Sequence, residues 1–165
     1  MTSVIAYIGL GANLDEPAEQ VRAATHELAS LPDTRLMAVS SLYRTAPVGY
    51  LDQPDFINAV AEVATRLAPR ALLDALLAIE RRHGRLREFP NAPRTLDLDL
   101  LLYGESAVTE PGLTIPHPRM HERAFVIMPL AEIAPDAPIP GRGRARDLLG
   151  SLDTAAVLKL EAAPS

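Results

Sequence analysis

The chain has no cysteine among its 165 residues and only one lysine, Lys159, so arginine accounts for the rest of its 16 basic side chains. Without cysteine there are no disulfides, no thiolate nucleophile and no Cys-ligated zinc or iron–sulfur centre. A Walker-type G-x-x-x-x-G-K-[ST] loop and a protein-kinase glycine loop with its lysine are both missing, so any phosphate bound here is bound by arginine. Aromatic residues make up 4% and the net charge is -5, which argues against a general nucleic-acid or anionic-membrane surface. The opening "MTSVIAYIGLG" has no basic segment before its short apolar run. Neither a signal peptide nor a membrane anchor is expected, and the chain is expected to be cytoplasmic.

What is present, 48% hydrophobic and 22% charged residues, suits one globular domain over residues 1–165, expected to be a monomer. "SVIAYIGLG" (3–11) reads as a strand, and residues 15–31 as an amphipathic helix with Asp15 as N-cap and Pro17 in its first turn. A second strand is expected over 35–45, a loop over 46–55 and an alternating third strand over 56–65. A second helix runs from Pro69 to His83, where Gly84 supplies the stop. An arginine-rich loop leads to a fourth strand, and a Pro-rich tail follows with short helices around 120–134 and 145–159. The order β-α-β-β-α-β is the ferredoxin-like split βαβ pattern of the α+β class: a four-stranded antiparallel sheet, helices on one face and a C-terminal extension. Such a fold hosts many functions, so function has to come from the site.

The fourth strand, "PRTLDLDLLLYG" (93–104), places two aspartates in an apolar run. On a strand, Asp97 and Asp99 share one face while Leu96, Leu98 and Leu100 share the other. Carboxylates about 6.6 Å apart repel by about 2.5 kcal/mol at an effective dielectric near 20. A raised pKa, arginine partners or a shared divalent cation would each relieve this. Arg81, Arg82, Arg85 and Arg87 in "ERRHGRLR" (80–87), with Arg94, stand upstream. Arg81 and Arg82 suit a solvated helix end, whereas Arg85, Arg87 and Arg94 lie beyond the stop and suit bidentate phosphate binding. Two carboxylates with several arginines fit a magnesium–nucleotide site or an Asp pair salt-bridged to arginines.

Six blocks in order, "GLGANL" (9–14), "SSLYRTAPVG" (40–49), "DQPDFINAV" (52–60), "IERRHGRLR" (79–87), "APRTLDLDLLLYG" (92–104) and "LTIPHPRMHERAFVIMPLAEIAP" (113–135), resemble the 6-hydroxymethyl-7,8-dihydropterin pyrophosphokinases of folate synthesis. The resemblance implies transfer of pyrophosphate from ATP to the pterin hydroxymethyl oxygen, releasing AMP, with two Mg2+ ions on Asp97 and Asp99. It implies phosphate contacts from Arg85 and Arg94, a closure or transition-state role for Arg87, and nucleotide contacts from Glu80, Leu100, His117 and Arg123. On the pterin side it implies a ring sandwich of Phe56 and Phe125, polar recognition by Asn58, and edge contacts from Thr45 and Val48.

This chain departs from the family pattern in three places. Where many members carry "RWGPR", it reads "FPNAPR", one residue shorter, with Asn91 and Ala92 in the aligned places and Phe89 as the aromatic left to substitute. Leu77 replaces a frequent glutamine, and Pro118 a tyrosine of some members. Residues 84–93 are expected to close over bound substrates. An RNA-binding split βαβ module would need exposed strand aromatics and a basic sheet face. A D-x-D nucleotidyl or glycosyl transferase would explain the aspartates but leave the pterin-side blocks unexplained.

Overall fold

A computed structural model describes residues 3–14, 16–46, 52–84 and 96–161. Its strands are β1 (Val4–Ala12), β2 (Thr34–Val39), β3 (Leu42–Thr45), β4 (Phe56–Thr65), β5 (Asp97–Tyr103), β6 (Val108–Glu110), β7 (Leu113–Ile115), β8 (Pro138–Ile139), β9 (Gly143–Arg144) and β10 (Val157–Glu161). Its α-helices are α1 (Pro17–Ala29), α2 (Pro69–Arg82), α3 (Ala124–Ile133) and α4 (Ala145–Leu148). The main sheet is antiparallel, in the order β10-β3-β4-β1-β5, with β2 also pairing β4. The expected split βαβ core is therefore present, widened by a strand at the β3 edge.

Alternation assigns the two faces. Ala6, Ile8 and Leu10 of β1, Ile57, Ala59 and Ala61 of β4, and Leu98 and Leu100 of β5 pack against Val21, Ala24 and Leu28 of α1 and Leu72, Leu76 and Ile79 of α2. The three α2 side chains are fully buried, each contributing about 1.5–3 kcal/mol. Val60 and Leu101 point the other way, with Met120 and with Val126, Ile127 and Leu130 of α3. Thus α1 and α2 share one face, as expected, while the C-terminal extension covers part of the other.

Three local expectations need correction. Asp15 lies outside the described residues, and Glu16 occupies the N-cap position of α1 at φ 59 with no side-chain cap bond. Pro17 begins the helix and has no N–H to cap; the Glu16 carbonyl accepts the amides of Glu19 and Gln20. The strand expected over 35–45 is broken at Ser40 and Ser41, where side chains take over from the ladder. The Ser40 hydroxyl accepts the Val60 amide at 2.9 Å, and the Ser41 amide and hydroxyl donate to Glu132 of α3 at 3.1 and 2.8 Å. Finally, residues 145–159 are not one helix. α4 ends after four residues, and the alternating "VLKLE" pairs as β10 with the otherwise open edge of β3.

The strand β5 carries a bulge. Tyr7 of β1 faces Leu102 while Ile8 faces Leu100, leaving Leu101 as the extra residue, and Leu101 and Leu102 both turn toward the α3-side core. The Leu101 carbonyl accepts the His117 amide at 2.9 Å, which ties the "IPHP" segment to the aspartate strand.

Candidate active site

On the α3 side of the sheet, one row of facing residues runs Lys159, Tyr43, Asn58, Gly11, Asp97 across β10, β3, β4, β1 and β5. Beside it, Val60 faces Gly9 and Gly9 faces Asp99. β1 thus presents only glycine between Asn58 and Val60 of β4 and the carboxylates of β5. A trough results. A Cβ on Gly11 would lie 2.9 Å from the Asn58 Oδ1, so this close approach requires glycine. On Gly9 it would meet the Leu101 side chain at 3.5 Å, an ordinary contact.

The trough is the floor of a cavity of about 530 Å³, lined by Thr45, Phe56, Asn58, Asp97, Asp99, His117, Arg123 and Phe125 among others. Eight of the expected site residues therefore meet in one place. Sequence reasoning missed Gly9 and Gly11, whose signal was two glycines sharing one strand face. It also missed Arg119, Glu122, Asp153, Ala156 and Val157 on the same wall. Glu80 and Leu100 are placed elsewhere. The Leu100 side chain is core on the helix face, and the Glu80 carboxylate, 4% exposed, accepts the Leu98 amide at 2.7 Å. Burial demands a donor for that carboxylate, and the outer edge of β5 supplies one. Val48, Arg85, Arg87 and Arg94 lie outside the described residues, as do Phe89, Asn91 and Ala92.

Two halves can be distinguished. In the first, Asn58 is 6% exposed and its Nδ2 donates to the Thr45 Oγ1 at 3.0 Å. That bond fixes the amide orientation and turns Oδ1 toward β1 as an acceptor. Phe56 and Phe125, each half-buried, face the cavity from β4 and from the first turn of α3. The Arg123 guanidinium lies 5.6 Å from the Phe125 ring centroid, a cation–π contact that links this half to the next.

In the second half, Asp97 and Asp99 rise half-buried from β5 beside His117. The His117 Nδ1 accepts the Arg119 amide at 3.2 Å, which leaves the proton of the neutral ring on Nε2. Burial lowers the His117 pKa, the charges of Arg123 and Arg119 lower it further, and Asp97 opposes them. The ring is therefore a neutral hydrogen-bond donor at pH 7. No cluster of three or more His, Cys, Asp or Glu occurs among the described residues. Two hard carboxylates on one strand face match magnesium, which takes one or two carboxylates and completes its shell with water and phosphate oxygens.

The supports of this wall are themselves built. Glu132 accepts from the Tyr43 hydroxyl at 2.6 Å as well as from Ser41, joining α3 to β3. Burial works against its charge, but the bonds from Tyr43 and Ser41 and the charge of Lys159 outweigh it and hold the carboxyl below its usual pKa. Burial, then Glu132, pushes the Tyr43 phenol up. None of the helices is long and apolar enough to cross a membrane, among the described residues.

Residues 7–135 match the family model described as 7,8-dihydro-6-hydroxymethylpterin-pyrophosphokinase. The chain is 51% identical over 145 residues to the 2-amino-4-hydroxy-6-hydroxymethyldihydropteridine pyrophosphokinase of Pseudomonas aeruginosa, covering 88% of this chain and 90% of that one. With the Haemophilus influenzae protein of the same name, identity is 50%, covering 83% and 86%. A crystal structure of wild-type Plasmodium falciparum HPPK-DHPS superposes with a TM-score of 0.71 at 14% identity, over 90% of this chain and 44% of that longer one. At that identity the likeness is one of fold alone.

Proposed function

The chain belongs to the 7,8-dihydro-6-hydroxymethylpterin-pyrophosphokinase family, and on that premise we propose that its cavity transfers pyrophosphate from ATP to 6-hydroxymethyl-7,8-dihydropterin in folate biosynthesis, releasing AMP. The observation that carries the assignment of sites is the glycine-floored trough, which sets the Asn58 amide and the two phenylalanines beside the Asp97–Asp99 pair in one cavity.

In this assignment the first half takes the acceptor. Phe56 and Phe125 stack on the flat ring, and the Asn58 Oδ1 accepts from its N–H edge. Thr45 holds the Asn58 amide in place, and Val48 adds an edge contact. The second half takes the nucleotide. Asp97 and Asp99 are the residues that would hold Mg2+, two ions in the family pattern, which would supply positive charge to offset that of the phosphates. Arg123 and the neutral His117 contact the nucleotide from the opposite wall, and the arginines at 85 and 94 supply further bidentate phosphate contacts. Charge develops on the equatorial oxygens of the β-phosphoryl group during attack by the hydroxymethyl oxygen, so these fixed cations and donors stabilise the transition state more than the ground state. Glu80 acts indirectly, holding the outer edge of β5 where the main chain of Leu100 is available to the nucleotide. Arg87 and Phe89 would complete closure and exclude water.

Single replacement of the carboxylates tests this. Asp97→Ala and Asp99→Ala should each abolish turnover while keeping the fold, since each removes a ligand and relieves like-charge repulsion. Near-native turnover of either variant at saturating magnesium would remove the carboxylates from the mechanism.

A further inference from the structure

Glu132 of α3 accepts hydrogen bonds from the β3 segment: from the Tyr43 hydroxyl at 2.6 Å, the Ser41 hydroxyl at 2.8 Å and the Ser41 amide at 3.1 Å. Two helical turns separate Glu132 from Phe125, so the two side chains share one face of α3, about 10 Å apart along its axis. Pro129 lies between them on that face and is buried. Tyr43 faces Asn58 across the β3–β4 ladder, and Thr45 faces Phe56. Glu132 therefore joins the helix that carries Phe125 to the strands that carry Thr45, Phe56 and Asn58, all of which line the cavity.

We propose that Glu132 is a positioning residue for the transfer reaction: its clamp on β3 fixes how far Phe125 stands from Phe56, and so how tightly the flat acceptor is held. The proposal rests on the assignment of those two rings to the acceptor.

Apolar packing of Val126, Ile127 and Leu130 keeps α3 on the sheet, but such packing is non-directional and resists sliding or tilting weakly. Hydrogen bonds restrict direction as well as distance, and three donors on one carboxylate fix the end of α3 against β3. A tilt about that end is felt two turns away, at Phe125. There a gap wider by about 0.5–1 Å already forfeits about a quarter to a half of the dispersion contact on a stacked ring. Glu132 itself does not line the cavity, and it is exposed, so water can take over its bonds and the fold survives its loss.

The test is calorimetry with 6-hydroxymethylpterin, in the presence of magnesium and a non-hydrolysable ATP analogue. Glu132→Ala should weaken pterin binding about 5- to 20-fold and change affinity for the analogue by less than about three-fold, because Arg123 is one of several nucleotide contacts and reaches it on a long side chain. Glu132→Gln should restore most of the pterin affinity: its amide oxygen accepts from Tyr43 and from the Ser41 amide, and the Ser41 hydroxyl turns to accept from its N–H. Tyr43→Phe removes one of the bonds and no cavity-lining atom; it should weaken pterin binding about two- to five-fold, and it carries the test if the alanine variant folds poorly. Unchanged pterin affinity in these two variants, equal losses for both ligands, or a glutamine variant as weak as the alanine one would each overturn the proposal. Phe125→Ala, measured alongside, separates the failures. If it alone weakens pterin binding, Glu132 only stabilises the fold; if no variant weakens it, the assignment of the acceptor half is wrong as well.

Discussion

Replacing Gly11 by alanine introduces one methyl group into the floor of the trough, 2.9 Å from the Asn58 Oδ1. That is closer than carbon and oxygen tolerate, and the neighbour is not a free side-chain end: Asn58 is 6% exposed and bonded to Thr45 at 3.0 Å. Pushing it aside costs about 1–3 kcal/mol of overpacking and about 1 kcal/mol of strained or lost hydrogen bond. The reduced backbone freedom of the unfolded chain returns about 0.4–1 kcal/mol. A net loss of about 1–3 kcal/mol corresponds to a Tm lower by about 2–12 °C for a chain of this size. Gly9→Ala is the internal control, because its methyl would meet Leu101 at 3.5 Å and should shift stability by less than about 1 kcal/mol. Thermal unfolding by circular dichroism measures both, and calorimetry with pterin should show a weaker complex for Gly11→Ala at unchanged ATP affinity. Equal Tm values for the two variants, or unchanged pterin binding in Gly11→Ala, would refute the claim that the glycine makes room for the Asn58 amide.

Phe125→Ala should weaken pterin binding by about 1–3 kcal/mol through lost stacking and burial with ATP affinity nearly unchanged, and calorimetry finding equal losses for both ligands would place the ring in the core instead. Because the folded-state pKa of His117 lies below its ordinary 6.5, the unfolded chain binds the extra proton first, so stability is full above pH 6.5 and falls as the pH drops through the folded value. Urea titrations from pH 8 to 5 should show this slope, and His117→Gln should flatten it; an unchanged slope in the variant assigns the dependence to other groups. Glu132→Ala leaves the Ser41 amide and the Tyr43 hydroxyl without their acceptor and should cost about 1–3 kcal/mol, kept near the low end because Glu132 is itself exposed and water can replace it.

Elements whose signal is local were legible. β4 spans the expected Phe56–Thr65, and α2 begins at Pro69 and ends one residue short of expectation, with Gly84 following at φ 76. The carboxylate pair was legible too, since period-two alternation alone puts Asp97 and Asp99 opposite Leu98 and Leu100. What escaped depends on distant partners. "VLKLE" becomes a strand only because β3 offers it an edge, and nothing nearby announces that edge. The break at Ser40 and Ser41 exists because Glu132, some ninety positions on, supplies the acceptor for Ser41. Glu80 matched a family position near the nucleotide, yet its burial and its bond to Leu98 come from the packing of α2 beside β5. The glycine trough lay in plain view in "GLG", but its meaning appears only once Asn58 and Asp97 are set on either side of Gly11.

The most direct test of the central claim is the identity of the nucleotide product. The purified chain, mixed with ATP, magnesium and 6-hydroxymethyl-7,8-dihydropterin, should yield AMP and the pterin diphosphate in equal amounts by anion-exchange chromatography, and neither without the pterin. Formation of ADP with a pterin monophosphate, or AMP release that does not depend on the pterin, would contradict it.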